Sequence, residues 1–357
     1  MLHTTALLRP ALALAFASGA AAIGFFGALG TDYAKNRVFE VSVSQTSSSE
    51  RVSMEITMNG EPVDRGGRGG GGGGGRTSNF SLTTTDVVLT AEKGAPTRIQ
   101  RTFDEVSSES SFEMRGEAQE VEMESAFEGL TIVLSAEGDE VEVEVADGDA
   151  PDEERLEGHS LALSLDRLLP EDEVEIGDEW SIESDDLMAA LGQRLQAKLI
   201  DRPERQEGGE GRGRRGGFRG PRGMSGPLMM LADGDWEITA TLTDETEEVD
   251  GVDCVVITIE AEAEADMEMG QRRGRDRAAG QEGRGGSSET TCSAEFEGRL
   301  FWSIDAEHPA RLEFEGSIEI SSERVRESDR GVMEMSSVTE TSFETTIDVT
   351  VGTAEEK

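Results

Sequence analysis

The sequence predicts a mainly β protein: a curved antiparallel sheet, or open half-barrel, with one amphipathic helix packed on it. Three observations carry this. Apolar and polar residues alternate with period two along most of the chain, the pattern of strands with one buried face. The runs are separated by short turns rich in Gly, Pro and Asp, as an antiparallel meander requires. A single segment changes to a period near four, and its apolar stripe needs a sheet to cover it.

The chain begins with a short basic start and an uncharged stretch of small and apolar residues, Ala11 to Leu29. That is the layout of a secretory signal peptide, with Ala20-Ala21-Ala22 and the Ala28 to Gly30 region as alternative cleavage boxes. The stretch is also just long enough to serve as a single-pass anchor. Residues 1–30 are therefore assigned to export or anchoring, 31–352 to one β-rich domain outside the cytoplasm, and 353–357 to a disordered tail. No cysteine follows the apolar stretch, which excludes lipid attachment there.

Strands follow in order. Phe39, Val41 and Val43 alternate with polar residues, TSSSER (46–51) reads as a turn, and Val52, Met54, Ile56 and Met58 alternate again, so a hairpin is expected. Further runs cover Val87 to Leu89, Ile99 to Phe103, Phe112 with Met114, Val121 to Phe127, Leu130 to Leu134, and Val141 to Val145. Beyond the middle come Ile238 to Leu242, Val255 to Ile259, Phe296 to Ile304, Leu312 to Ile320 and Phe343 to Val351. EKGAP, VDGVD and DAEHPA supply turns between them.

The exception is SDDLMAALGQRLQAKLI (184–200), where Leu187, Leu191, Leu195 and Leu199 recur every four residues. The spacing predicts a helix over 185–200, with Ser184 as its cap. Asp185 and Asp186 sit at its positive end, Arg194 and Lys198 toward its negative end, and Pro203 stops continuation.

Composition narrows the partners. With 33 basic against 75 acidic residues the chain carries a net charge of -42, which repels polyanions and argues against nucleic acid. The shortage of lysine beside so many carboxylates also fits life in high salt. Gly and Arg recur at 65–76, 202–222 and 270–286, with net charges of +3, +4 and +3, leaving the remainder at -52. Stretches such as RGGRGGGGGGGR look like RNA-binding boxes, yet Phe218 is the one aromatic residue among them, so stacking groups are missing. All three fall between predicted elements and read as loop inserts, which are thermodynamically cheap.

An exported chain meets oxidising conditions in which Cys254 and Cys292 could pair. Their phases differ: Cys254 is opposite to Val255, Ile257 and Ile259, whereas Cys292 is in phase with Ala294, Phe296 and Leu300. A bulge would be needed to bring the sulfurs together.

No catalytic residues and no cofactor are assigned. His3, His159 and His308 are isolated, no His/Cys cluster has metal-ligand spacing, and neither a nucleophile elbow nor a P-loop occurs. DGDAPDEE (147–154) holds five carboxylates and could take calcium, but it lacks EF-hand spacing. Met224, Met229 and Met230, then Met267 and Met269, then Met333 and Met335 form small clusters suited to an adaptable pocket or an ordinary core.

LLPEDEVEIGDEW (168–180) is the most specific run. It resembles the L-P-x-x-x-V-x-x-G-D-x-W signature of uncharacterised secreted β-rich proteins of bacterial envelopes. The resemblance covers mainly residues 158–200 and implies fold and location, with no established activity and no catalytic residues to carry over. At the level of architecture the expected fold is also similar to the half-barrels of bacterial lipoprotein carriers, which hold acyl chains.

The expectation is therefore a non-enzymatic extracytoplasmic domain that binds an apolar or amphipathic, lipid-like ligand or an envelope partner. The ligand would lie between the sheet and Leu187, Leu191, Leu195 and Leu199, walled by Trp180, Trp236 and Trp302. Membrane contact is expected only through the N-terminal segment, if it is uncleaved. The alternative is a structural or interaction protein of the envelope that uses its acidic surface and Gly/Arg loops, with calcium.

Overall fold

The computed structural model describes residues 26–27, 29–63, 75–114, 117–138, 140–201, 228, 231–232, 234–268, 286–328 and 331–354. Residues 1–25 of the expected export segment, 65–74, 202–222 and 270–285 of the Gly/Arg segments, Met224, Met229, Met230 and Met269, and 355–357 of the expected tail lie outside them. The strands are β1 (Phe26–Gly27), β2 (Arg37–Met58), β3 (Glu61–Pro62), β4 (Arg76–Glu92), β5 (Ala95–Met114), β6 (Glu117–Met123), β7 (Thr131–Glu137) and β8 (Glu140–Asp147). They continue as β9 (Val174–Glu175), β10 (Glu179–Ser181), β11 (Asp235–Val249), β12 (Val252–Glu268), β13 (Gly286–Ser303), β14 (His308–Ser328) and β15 (Gly331–Thr353). The helices are α1 (Ser184–Ala190) and α2 (Gln193–Leu199), and 3-10 turns occupy Glu153–Arg155 and Ser164–Leu168.

Thirteen strands form one open antiparallel sheet, in the order β10-β11-β12-β13-β14-β15-β2-β4-β5-β7-β8, with β3 added at β2 and β6 at β5. Neighbours in sequence are neighbours in space along each half, as in a meander. The halves join where the last long strand, β15, pairs with the first, β2. One face carries the core. Ile238, Ile259, Leu300, Phe314, Ile347, Phe39, Val88, Phe103 and Leu134 belong to a single buried cluster with Leu165, Leu187 and Leu199. A core shared by both flanks means that the sheet curls around its filling.

The other face is acidic. Alternation places Glu260, Glu262, Glu264, Glu295, Glu297, Glu313, Glu315, Glu319, Glu340 and Glu344 in exposed positions between inward-facing residues. A small second cluster of Val249, Cys254, Val256, Phe301 and Ala310 is buried separately from the main core.

Three local expectations are corrected. TSSSER is no turn: β2 runs unbroken from Arg37 to Met58, paired with β15 along its length and with β4 as far as Ser49, and Ser49 Oγ lies 2.8 Å from Thr341 Oγ1. Ser and Thr in strand centres here form hydrogen-bonded cross-strand contacts instead of a bend. The register slips at Val52, so Met54, Ile56 and Met58 face the same side as Phe39, Val41 and Val43 despite the change of phase.

The helix over 185–200 is two short helices, because Gly192 adopts a left-handed φ of 67° between them. Ser184 is the first helical residue and Glu183 the cap, with no side-chain cap bond.

The disulfide is not formed: both cysteines are free and buried. Cys254 lies opposite Ser303, eleven positions along β13 from Cys292, or roughly 36 Å at strand rise. Cys254 packs in the second cluster and Cys292 in the main core, so no bulge could join them.

The fold also takes in residues ahead of Thr31. β1 pairs with β9 inside the LLPEDEVEIGDEW run, and Leu29 is buried in the core.

The sheet has two ends. One carries the turns at 93–94, 250–251 and 304–307. The far end carries the β2–β4, β5–β6, β12–β13 and β14–β15 connections, so the first and third Gly/Arg segments attach there.

Candidate functional site

A cavity of about 440 Å³ lies between the inner face of β2, β4 and β5 and the segment from Glu157 through α2. That volume falls in the ordinary range for small-molecule pockets, roughly 300–1,000 Å³. Val41, Val43, Leu82 and Phe103 line the sheet side, while Ala162, Leu163, Ala189, Ala190 and Leu195 line the other, so the walls are mostly apolar. The space exists because α1 and α2 meet at a bend. Leu187, Leu191 and Leu199 drive into the core, whereas Leu195 stays half-buried beside the opening.

Charge enters this wall in pairs. Arg101 on β5 donates through Nε to Asp86 Oδ1 at 2.7 Å and through Nη2 to Asp86 Oδ2 at 2.6 Å, a bidentate bond between registered neighbours. Arg101 Nη2 also reaches the Ser160 carbonyl at 3.3 Å. Burial works against the guanidinium charge, but Asp86 outweighs it and raises Arg101 above its ordinary pKa. At the rim Arg167 Nη1 meets Asp186 at 2.7 Å, and Lys198 Nζ donates to the Glu157 carbonyl at 3.0 Å.

The loop that roofs the cavity is pinned from below. Tyr33 donates its hydroxyl to Asp166 and accepts the Leu163 N–H at 2.6 Å, while Thr31 Oγ1 donates to Asp166 Oδ1 at 2.5 Å. Burial, then the Asp166 charge, pushes the Tyr33 phenol far above its usual range. Burial raises Asp166, partly offset by the bonds from Thr31 and Tyr33.

His159, also in this loop, is buried between Phe103 and Phe127, with ring centroids 5.8 and 6.2 Å away. Among the described residues neither ring nitrogen has a hydrogen-bond partner. Burial, then the charges of Arg101 and Lys198, lowers its pKa to about 3, so the ring is neutral at any physiological pH.

Of the residues expected to face a ligand, one lines this cavity. Leu195 lines the cavity, but Leu187, Leu191 and Leu199 are filled core. Trp180 donates Nε1 to the Leu168 carbonyl at 3.0 Å, Trp236 stacks on Phe296 with centroids 6.0 Å apart, and Trp302 is buried; none of the three lines the cavity. The Asp86–Arg101 pair was the missed feature. Its signal was present in the sequence: Arg101 shares phase with Ile99 and Phe103, and Asp86 with Val88, so two charges sit on a buried stripe.

Among the described residues no group of three or more His, Cys, Asp or Glu side chains is assembled for a metal ion, so the carboxylates of 147–154 do not converge as calcium ligands. No described helix is long and apolar enough to cross a membrane. No model of a known protein family matches the chain, and no curated protein does.

Proposed function

We propose that this protein is an extracytoplasmic, non-enzymatic binding protein that holds one apolar or amphipathic, lipid-like ligand between β2, β4, β5 and the α1–α2 bend. The observation that carries the reading is the cavity itself: a mostly apolar space between sheet and helices, with partnered charged groups at its wall and rim. Such a site excludes water from a hydrocarbon chain while leaving a polar head beside Arg167 and Lys198. Arg101 and Asp86 act as a fixed brace for the wall, since their hydrogen bonds are spent on each other and on the Ser160 carbonyl.

The export segment and the LLPEDEVEIGDEW resemblance support a location in the bacterial envelope. The test is titration of the purified protein with a fluorescent long-chain fatty acid. Saturable binding near one equivalent is expected. It should be lost in Ala189→Phe, which puts a ring into the cavity from α1. Binding that survives Ala189→Phe unchanged places the ligand elsewhere.

A further inference from the structure

Beyond the cavity, the inner face of the sheet continues to the far end, and there its character changes. Registered rows show which residues share that face. Arg326, Met333 and Met58 lie side by side, then Arg324, Met335 and Ile56, on β14, β15 and β2. Two rows further in, Ile320, Thr339 and Arg51 align, followed by Ile318, Thr341, Ser49, Arg76 and Phe112. Ile318 and Thr341 are buried on the core side, so the outer rows face the same way.

No described helix covers these last rows, and Met54 and Met58 are 46% and 39% exposed. Among the described residues Arg37, Arg101, Arg155, Arg167, Arg299 and Arg311 each hold a carboxylate, whereas Arg51, Arg76, Arg98, Arg324 and Arg326 hold none in a chain with 75 acidic residues, and all of these but Arg98 lie on this far-end face. The glutamates of the same strands point to the opposite face. Alternation has sorted the charges, leaving a positive, methionine-bearing rim on an otherwise acidic molecule.

We propose that this rim docks on an anionic phospholipid surface, with Arg51, Arg76, Arg324 and Arg326 against headgroup phosphates and Met54 and Met58 among the upper acyl carbons. Charge complementarity selects the partner. The rim meets anions without giving up an internal ion pair, and the acidic opposite face is repelled, which orients the molecule. Flexible thioethers suit a disordered apolar layer. The docking surface is distinct from the N-terminal segment and does not depend on the cavity being occupied.

The test is co-sedimentation of the full chain with phosphatidylcholine vesicles, with and without phosphatidylglycerol, at low and high salt. The partners for comparison are the Arg51→Gln, Arg324→Gln, Arg326→Gln triple variant and the Met54→Ser, Met58→Ser double variant. All retain the N-terminal segment, so differences read the rim alone, and unchanged melting temperatures establish folding. Binding to the anionic vesicles should be salt-sensitive, and the triple variant should lower the partition coefficient at least roughly tenfold, with a smaller loss in the double variant. Absence of vesicle binding, or binding equal in all three proteins, overturns the proposal. So does an equal loss of binding to polyglutamate, which would make the rim a site for acidic protein. Self-association lost in the variants would make it a contact between copies.

Discussion

Arg101 and Asp86 face each other across β4 and β5 in the cavity wall, joined at 2.7 and 2.6 Å and nearly sealed from solvent. Removing one partner leaves the other charge buried and unpaired. Arg101→Met alone is expected to cost about 3–5 kcal/mol in urea unfolding, whereas Arg101→Met with Asp86→Leu should recover most of that loss. Equal destabilisation by the single and double variants would show that the pair does not act as a unit.

His159 makes stability depend on pH. Its folded pKa of about 3 lies below the ordinary 6.5, so the unfolded chain binds the extra proton first as pH falls. The stability contributed is fully present above 6.5 and lost progressively toward 3, amounting to about 4 kcal/mol over that window. Asp166, whose folded pKa is raised, works in the opposite sense at the acidic end, so the difference between wild type and variant is the useful quantity. His159→Phe is expected to flatten the curve between pH 6.5 and 4 in chemical denaturation, and an unchanged slope would contradict the assignment.

Gly316 stands where a side chain has no room. A Cβ there would meet the Glu295 carbonyl at 2.2 Å and the Phe296 Cα at 2.8 Å, because the Phe296 ring packs toward Phe343 across the β13–β14–β15 row. Gly316→Ala should destabilise by roughly 1–3 kcal/mol. Gly352→Ala, which meets nothing within 4 Å, should stay within about 0.5 kcal/mol and serves as the control in the same melts.

The export proposal acquires a position from β1 and Leu29. Cutting in the Ala28 to Gly30 region would remove a strand paired to β9 and empty the place of a buried leucine. Processing at Ala20-Ala21-Ala22 leaves both intact. Sequencing the N-terminus of protein taken from its native source should find it ahead of Phe26; a start at or after Gly30 would show that β1 is dispensable.

The sheet was legible because period two survives in nearly every strand, and the helical segment because four leucines repeat. What local pattern could not convey was strand continuity. Ser47 to Ser49 look like a turn until β15 and β4 are known to pair on either side, and a bulge at Val52 conceals that Val43 and Met54 share a face. Likewise Gly192 breaks the helix through one backbone torsion, which sets Leu195 apart from its three neighbours. Two of the tryptophans expected as ligand walls use their N–H groups on the Leu168 and Leu231 carbonyls, which fixes Trp180 and Trp236 in the structure, and such bonds have no local sequence pattern. The cavity comes from long-range packing of a loop over three strands, for which the chain offers only the clue of two charges on a buried stripe.

The most direct measurement is native mass spectrometry of the protein purified from its native source without added lipid. One bound amphiphile per chain is expected, released on unfolding and absent from Ala189→Phe prepared in the same way. A clean apo mass for wild-type protein, together with no uptake of the fluorescent fatty acid, would contradict the binding role.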